Sequence, residues 1–501
     1  MQCLPVFRQV CGGTPIALRP DVARGTCVVV GGGVSGLTAA YELHKQGIPF
    51  LLLESAPRVG GLIRTEAIDG FVIDAGPDAI LTQKPAGAGL CGELGLQLSA
   101  PKTIGTFIVR EGSLRRLPEG AVFGIPADWR AFASTRAFST SGKIRMAAEY
   151  LIPPTSAGRD ESIASFIRRR FGNEALRYLG EPLLAGIHGG DAECLSMRAL
   201  FPRLLDLEQR HGSVIKAFRR MKQPGATKAV SPFGALAGGM ETLVGALVTA
   251  LPPDRVMYGA RVRAIQHGHP WRIHLHSGAT LDAAAVVLAT PPRMTAPLLL
   301  DSDPLLAGLC RQIRDVSLVT VALGYQRQVV RHPLQGTGFV VPRTELASVS
   351  AVTWVSSKWH DRAPDDRVLL RGYLGGARDP GAIDRDDEAL VANVQHDVHR
   401  FLGISAEPML ARVFRWPHAG VQLEVGHADL MALIDSRLSR LAGLFISAAG
   451  FRGVGIADCV ADARKQAQAA CVLVAEKPAV DGEKSDAMLA AHRFSSVPSA
   501  R

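Results

Sequence analysis

The order of apolar and polar residues changes character twice near the start of the chain. The β-branched run CVVV at Cys27–Val30 leads into the glycine-rich stretch GGGVSG and then into LTAAYELHKQG, whose apolar residues recur at helical spacing. After Gly47 a second apolar run, PFLLLES, begins. The pattern predicts a strand, a tight turn, a helix and a second strand, which is the opening of a parallel α/β sheet.

The pattern further along the chain alternates between helix and strand on a larger scale. Between about Pro85 and Pro232 it is mostly helical, as in SIASFIRRRFGNEALRYLGEPLLAG and SVIKAFRRMK. Strand-like runs return in ARVRAIQ, WRIHLHSG and AAVVLATPP, and GLFISAAG before GFRGVGIADC repeats the order of strand, glycines and helix. The sequence therefore predicts an α/β domain assembled from separated segments.

The glycine-rich turn has the spacing GxGxxG in the context that a dinucleotide requires, between a strand and a helix. Gly31 permits the tight turn, Gly33 allows the backbone to approach a pyrophosphate, and Gly36 allows close packing of helix and strand. The helix start offers amide donors and a positive dipole end. We predict contacts with the cofactor from six consecutive residues: Gly31, Gly32, Gly33, Val34, Ser35 and Gly36.

A carboxylate stands at the end of the second strand, where a ribose would lie. Glu54 follows PFLLL, and its side chain can accept hydrogen bonds from ribose hydroxyls while repelling a 2′-phosphate. The expected ligand is the adenosine diphosphate part of FAD or NAD. A tight turn that holds no ligand is the structural alternative.

The stretch SAPRVGGLIRT after Glu54 favours FAD. Gly60 and Gly61 allow another close backbone approach, and Arg58 and Arg64 could complement phosphate charge. The stretch resembles the second FAD-binding motif of the flavin amine oxidase and protoporphyrinogen oxidase superfamily. Leu62 stands where that motif usually has a basic residue.

Longer stretches resemble one family within that superfamily, the bacterial oxygen-dependent protoporphyrinogen and coproporphyrinogen oxidases. The sequence GPDAILTQKP has Gly76, Pro77, Asp78 and Ala79 in place of the family's GPDSFL-type motif, followed by a basic residue and proline. The stretches EPLLAGIHGGDAECLSMRALFPRLLDLEQRHGSVI, VTWVSSKWHDRAPDDRVLLRGYLGG, FRWPHAGVQLEVGH and GFRGVGIADC match in the same order. The resemblance runs from about Cys27 to Cys471.

The resemblance implies a fold and a set of cofactor contacts. The fold class is α/β, with a Rossmann-like FAD-binding domain of discontinuous segments, a substrate domain of mixed β-sheet and helices, and a helical insertion. The implied contacts with FAD beyond the GxGxxG turn are Glu54, Ser55, Arg58, Gly60, Gly61, Leu62, Gly76, Pro77, Asp78, Ala79, Val262, Trp416, Val454, Gly455 and Ile456. No catalytic acid, base or nucleophile and no metal ligand is indicated.

These features divide the chain into seven segments. They are a flexible N-terminal extension (1–25), FAD-binding segment 1 (26–84), a substrate and helical insertion (85–232), FAD-binding segment 2 (233–300), a substrate-domain sheet (301–420), FAD-binding segment 3 (421–475) and a disordered tail (476–501). The extension carries Arg8, Arg19 and Arg24 with only Asp21 acidic, so a targeting role stays open.

The implied function is six-electron oxidation of a porphyrinogen by oxygen in haem biosynthesis, with release of hydrogen peroxide. Protoporphyrinogen IX and coproporphyrinogen III both remain open as substrates. Thr106 stands where some eukaryotic relatives have a propionate-binding arginine, so the propionate partner is unassigned. The alternatives are another oxidase or desaturase of the superfamily, and a non-catalytic protein that binds FAD or porphyrin.

The composition and net charge of the chain limit the classes of ligand and partner that we expect. The chain has 501 residues, 47% hydrophobic residues and a formal net charge of +10, which favours acidic ligands or an anionic membrane surface. Nucleic acid is not expected, because no aromatic residues alternate with the arginines of the helical segment. Arg168, Arg169 and Arg170 are interpreted either as a solvated face or as groups that steer propionates. We expect a cytoplasmic protein, with peripheral contact at the inner face of the membrane left open and the oligomeric state unassigned.

Overall fold

A computed structural model describes residues 25–118, 129–155, 158–221 and 231–475. The predicted N-terminal extension, apart from Gly25, and the predicted C-terminal tail lie outside the described residues. None of the helices in the described ranges is long and apolar enough to cross a membrane.

The strands of the described residues fall into several sheets. In chain order they are β1 (Cys27–Val30), β2 (Phe50–Leu53), β3 (Thr65–Ile68), β4 (Phe71–Asp74), β5 (Ile80–Leu81), β6 (Leu98–Ser99), β7 (Thr106–Arg110), β8 (Ser113–Arg116), β9 (Phe233–Leu236), β10 (Val256–Met257), β11 (Val262–Gln266), β12 (Trp271–Leu275), β13 (Thr280–Ala283), β14 (Ala285–Leu288), β15 (Arg314–Gln326), β16 (Gly338–Val340), β17 (Ala351–Trp354), β18 (Arg367–Gly375), β19 (Leu410–Gln422) and β20 (Leu444–Ile446).

The α-helices of the described residues pack around these sheets. They are α1 (Val34–Lys45), α2 (Pro85–Glu93), α3 (Trp129–Ser134), α4 (Thr140–Ala147), α5 (Ile163–Phe171), α6 (Asn173–Ala175), α7 (Glu181–His188), α8 (Met197–Leu200), α9 (Pro202–His211), α10 (Val214–Met221), α11 (Glu241–Thr249), α12 (Pro292–Leu298), α13 (Pro304–Arg311), α14 (Val355–Lys358), α15 (Asp387–Leu402), α16 (His427–Leu438) and α17 (Ile456–Ala475).

A parallel sheet of five strands carries the glycine-rich turn. Its order is β10-β2-β1-β14-β20, so its strands come from all three segments predicted for the FAD-binding domain. The strands β1, β2 and β14 are buried throughout, as expected for a parallel sheet covered on both faces. The apolar side chains of α1, α11 and α17 cover one face. Those of the antiparallel sheet β11-β12-β13 and of α13 and α16 cover the other.

A second sheet of seven strands has the order β19-β15-β18-β17-β16-β7-β8. One face packs on α15. The opposite face packs on β4 at one end and on the helices α5–α9 at the other. The prediction of a mostly helical segment 85–232 is wrong for β7 and β8, which complete this sheet through parallel pairing of β7 with β16. A short run such as TFIVR forms a strand here because a distant strand edge is available.

The arginines of α5 are not the solvated face that the sequence indicated. Arg170 is fully buried and donates to Glu149, to the carbonyl of Ile152 at 2.7 Å and to the carbonyl of Gly212 at 2.8 Å. Arg169 forms ion pairs with Glu208 and Glu161, both at 2.6 Å. Only Arg168 is exposed, and it faces Glu193. Neither a solvated nor a steering role fits Arg169 or Arg170, because carboxylates outside α5 pair with both of them.

Candidate functional site

The glycine-rich turn lies at the carboxyl end of β1, and its three motif glycines have different surroundings. Gly31 has a φ of +103°, and an added Cβ would lie 2.7 Å from the carbonyl oxygen of Ala289. At Gly36 the added Cβ would lie 1.8 Å from the carbonyl oxygen of Gly31. Gly33 has no atom within 4 Å of an added Cβ. Two glycines therefore serve packing, and the third faces the space where a phosphate would bind.

The start of α1 keeps its amides available for a ligand. Its N-cap residue is Gly33, and no side chain caps the helix. The start of α5 differs, since the hydroxyl of Ser162 accepts a hydrogen bond from the amide of Ser165. The first amides of a helix need acceptors. The predicted contacts of Val34 and Ser35 with a pyrophosphate are consistent with this uncapped end.

Glu54 lies at the end of β2, beside the glycine-rich turn. Its Oε2 accepts a hydrogen bond from the amide of Gly32 at 2.6 Å, and its Oε1 accepts from the amide of Ala56 at 2.7 Å and the hydroxyl of Ser55 at 3.2 Å. The carbonyl oxygen of Glu54 accepts from the amide of Ala260, so the start of β11 with Val262 is close by. Oε2, which accepts from one donor, keeps capacity for a further one. The arrangement suits an adenosine whose ribose reaches Glu54.

The second glycine loop packs directly on the first. The amide of Gly60 donates to the carbonyl of Gly32 at 2.7 Å, and an added Cβ at Gly61 would lie 3.3 Å from the Cα of Gly33. The Arg58 guanidinium donates to the carbonyls of residues 59, 61 and 63 within this loop, and burial lowers its pKa. Arg58 therefore holds the loop in shape, and its contact with a phosphate stays a prediction.

The Gly76–Pro77 turn stands at the far end of the same groove. An added Cβ at Gly76 would lie 2.0 Å from the carbonyl oxygen of Leu62 and 3.8 Å from Cζ2 of Trp416. The carbonyl of Ala75 accepts hydrogen bonds from the Trp416 indole and from the Thr320 hydroxyl, both at 3.0 Å. The seven-stranded sheet thus holds this turn against the second glycine loop. The structure brings Leu62, Gly76 and Trp416 together, and their contact with FAD stays a prediction.

Asp78, just after this turn, is an ion-pair partner of the substrate-domain sheet. It accepts hydrogen bonds from Lys358 at 2.9 Å and from the Trp359 indole at 3.0 Å. Burial alone would raise the pKa of Asp78, but Lys358 and Arg371 hold it well below its ordinary value. Ala79 is partly buried and packs in the same apolar cluster as Trp416. Direct contact of Asp78 and Ala79 with a flavin stays a prediction.

The start of α17 lies beside the start of α1. The helix begins at Ile456, after Val454 and Gly455, and Ser35 hydrogen-bonds to Cys459 one turn later. Asp458 accepts a hydrogen bond from the amide of Gly455 at 3.3 Å and forms an ion pair with Lys84 at 2.5 Å. A second helix start with its dipole therefore faces the predicted cofactor groove.

The residues present fit FAD. The residues that line the predicted cofactor groove follow one another from Glu54, past the open space beside Gly33 and the second glycine loop, to the Gly76–Pro77 turn and Trp416. Its near end offers a carboxylate for a ribose and helix amides for phosphates. Its far end offers an aromatic residue and backbone for a flat ring.

Sequence reasoning missed Thr320, Lys358, Arg362 and Arg371, which surround the Gly76–Pro77 turn. They lie far apart in the sequence, so no spacing connects them. Arg371 alone had a signal, because it interrupts the apolar strand VLLRGYLG and a charge inside a buried strand requires a partner. Its partners proved to be the Asp74 carbonyl and the Tyr373 ring.

Comparison with known proteins agrees with this architecture. Residues 34–471 match the family described as flavin containing amine oxidoreductase. The chain is 35% identical over 448 residues to the coproporphyrinogen III oxidase of Bacillus subtilis (strain 168), covering 86% of this chain and 95% of the relative. It is 30% identical to the chloroplastic protoporphyrinogen oxidase 1 of Arabidopsis thaliana over 486 residues, covering 88% and 87%.

A solved structure from Exiguobacterium sp. 255-15, provisionally described as a protoporphyrinogen oxidase, has a TM-score of 0.79 and 30% identity to this chain. It covers 90% of this chain and 99% of its own. These matches confirm the predicted fold class, the flavin cofactor and the resemblance to porphyrinogen oxidases.

Proposed function

The chain belongs to the flavin containing amine oxidoreductase family, within its porphyrinogen oxidase branch, and on this premise we propose that it oxidises coproporphyrinogen III to coproporphyrin III. It is an FAD-dependent oxidoreductase. Oxygen is the proposed acceptor, and six electrons leave the substrate in three two-electron steps, each producing one hydrogen peroxide.

One observation carries the choice of substrate. Bacterial relatives named coproporphyrinogen III oxidase align with nearly their whole length, as for the Bacillus subtilis protein at 95% and the Staphylococcus aureus protein at 97%. Charge supports the same choice, since a formal net charge of +10 favours a substrate with four carboxylates over one with two.

The proposed role of the chain's own residues is to bind FAD and to orient its ring. Bound FAD would supply the two-electron acceptor of each dehydrogenation. Gly33 and the start of α1 would hold its phosphates, and Glu54 its ribose. Trp416 and the Gly76–Pro77 turn would line the site of the flavin ring, and the hydrogen bond from Thr320 to the Ala75 carbonyl fixes that turn to the sheet. The sheet and the helices would exclude water from the reacting groups.

Anaerobic mixing tests this proposal. The purified protein is mixed with coproporphyrinogen III, protoporphyrinogen IX or a panel of amines while the visible flavin absorbance is followed. We expect coproporphyrinogen III to bleach the flavin fastest and air to restore the absorbance with formation of peroxide. Faster bleaching by protoporphyrinogen IX would overturn the substrate choice, and bleaching by amines alone would overturn the proposed function.

We also propose that the helical insertion (85–232) makes peripheral contact with an anionic membrane. An open groove of about 640 Å³ lies between Tyr150–Pro154 and α10, and its lining includes no carboxylate from the described residues. The side chains of His211, Lys216 and Arg220 in this lining make no hydrogen bond or ion pair with another described residue. Leu151 beside them is 85% exposed. An exposed apolar residue beside unpaired cations, here Lys216 and Arg220, is typical of an interfacial site.

Sedimentation with vesicles tests this contact. We expect the protein to sediment with phosphatidylcholine vesicles only when phosphatidylglycerol is included, and Leu151→Asp to reduce the bound fraction several-fold. Leu305→Asp on α13 is the matched control, because Leu305 is also exposed but lies away from the groove. Equal binding of both variants, or no binding to anionic vesicles, would refute the contact.

A further inference from the structure

A group of buried and partly buried charged side chains surrounds the Gly76–Pro77 turn. Lys358 pairs with Asp78, and Arg362 pairs with Asp74 at 3.1 Å. Arg371, only 4% exposed, donates to the main-chain carbonyl of Asp74. We call these five residues the turn cluster. It connects the part of the groove assigned to the flavin ring with β18 and the segment before it.

The turn cluster holds more positive than negative charge. It has three cations and two carboxylates. Two further carboxylates on adjoining segments have cations of their own, since Glu241 faces Arg58 at 3.9 Å and Glu66 pairs with Arg412 at 2.7 Å.

Several cluster atoms also lack partners. Among the described residues, Nε of Arg371 and both Nε and Nη1 of Arg362 are buried without a hydrogen-bond acceptor, and Oδ2 of Asp74 is buried without a hydrogen-bond donor. Arg362 has Asp74 as its counterion, whereas Arg371 forms no ion pair with a described carboxylate, and a buried cation without a compensating charge is costly. The cluster therefore favours an additional anion nearby.

The ligand expected beside this turn gains a negative charge during the reaction. Each reduction of FAD adds two electrons and one proton, taken from the substrate carbon, so its ring gains one negative charge. Oxygen later removes the two electrons. A charge that stays fixed while the ring changes charge alters the reduction potential.

Resting on the proposed function, we propose that the excess positive charge of the turn cluster stabilises the reduced, anionic form of FAD. Lys358 and Asp78 then shift the reduction potential in opposite directions, although they form one ion pair. Asp74 balances Arg362, so Arg371 supplies the positive charge that remains when both ion pairs are balanced. The pair acts through its charge, so neither residue needs to touch the substrate.

Opposite substitutions in one ion pair give the sharpest test. Sulfite adds to an oxidised flavin and leaves it negatively charged, so its affinity reports the same stabilisation without turnover. We expect Lys358→Met to weaken sulfite binding about tenfold and to lower the two-electron potential by about 30 mV, the equivalent of tenfold. Asp78→Asn should change both quantities by similar amounts in the other direction. The double variant should return to within threefold of the wild type.

Trp359→Phe is the matched control. Its indole donates to the same oxygen of Asp78 as Lys358 does, but it carries no charge. We expect this variant to change sulfite affinity less than twofold. If Lys358→Met does not retain FAD, Lys358→Gln takes its place. Titrations are followed by flavin absorbance, and the potential is measured against a reference dye.

The results of these measurements distinguish an electrostatic role of the Lys358–Asp78 pair from a structural role. Opposite shifts in the single variants support the proposal. Shifts in the same direction, or an effect of Trp359→Phe as large as that of Lys358→Met, would assign the pair a structural role and overturn it. Porphyrinogen turnover by the wild-type protein tests the proposed function separately. A wild-type protein without FAD would overturn both.

Discussion

The substitution Gly33→Val should weaken FAD binding strongly while leaving the stability of the apoprotein almost unchanged. Gly33 has φ −70° and ψ −179°, which valine adopts without strain, and an added Cβ meets no atom within 4 Å. The protein without FAD should therefore lose no more than about 0.5 kcal/mol of stability. The valine side chain would occupy the space of the pyrophosphate. Loss of two amide hydrogen bonds to a charged group, at about 1.5–3 kcal/mol each, predicts FAD binding weaker by about 10²- to 10⁴-fold.

The assay compares FAD affinity with unfolding of the apoprotein. FAD is titrated into apoprotein while its fluorescence is followed, and thermal unfolding is measured without FAD. Gly36→Ala is the contrast, because its Cβ would lie 1.8 Å from the Gly31 carbonyl oxygen, so this variant should be strongly destabilised. Wild-type FAD affinity in Gly33→Val would refute the pyrophosphate position. If the Gly33→Val apoprotein were as unstable as Gly36→Ala, the inference that Gly33 faces open space would be refuted.

Three other predictions follow from the same structure. Acid precipitation should release free FAD from a yellow protein, whereas flavin left in the pellet would indicate covalent attachment. Arg170→Met should lower the free energy of unfolding by about 3–5 kcal/mol, because it leaves Glu149 buried without its cation. Exposed Arg168→Gln should cost less than about 1 kcal/mol by denaturant titration. Burial lowers the pKa of His427, whose Nε2–H donates to the Phe451 carbonyl. Below pH ~6.5 the unfolded chain therefore binds more protons at His427 than the folded protein does. The free energy of unfolding should thus decrease as the pH is lowered through this range, by up to about 1.4 kcal/mol per pH unit. His427→Gln should flatten that part of the stability curve.

The local features of the cofactor groove were predictable from the sequence. The strand before Gly31, the helix from Val34 and the strand ending before Glu54 depend on neighbouring residues, and a β-branched run or a glycine turn fixes them locally. Late strands such as β11, β12 and β14 were predicted for the same reason.

Features that depend on distant partners were not predictable. The sequence of α5 shows three consecutive arginines, but only the fold places Glu149 and Glu208 beside Arg170. Likewise β7 became a strand because β16 offers it an edge. A charge pattern along one helix does not specify which carboxylates the rest of the chain brings to it.

The strand order of the parallel sheet has a consequence for synthesis of the chain. The inner strand β14 pairs with β1, made long before it, and with β20, made long after it, so Leu288 meets Ile446 only near the end of translation. Until β20 leaves the ribosome, β14 has one open edge and a buried-type apolar sequence. Such edges promote aggregation, and contacts so distant in sequence form slowly. The nascent chain should therefore depend on chaperones during elongation, and truncation before β20 should yield insoluble protein.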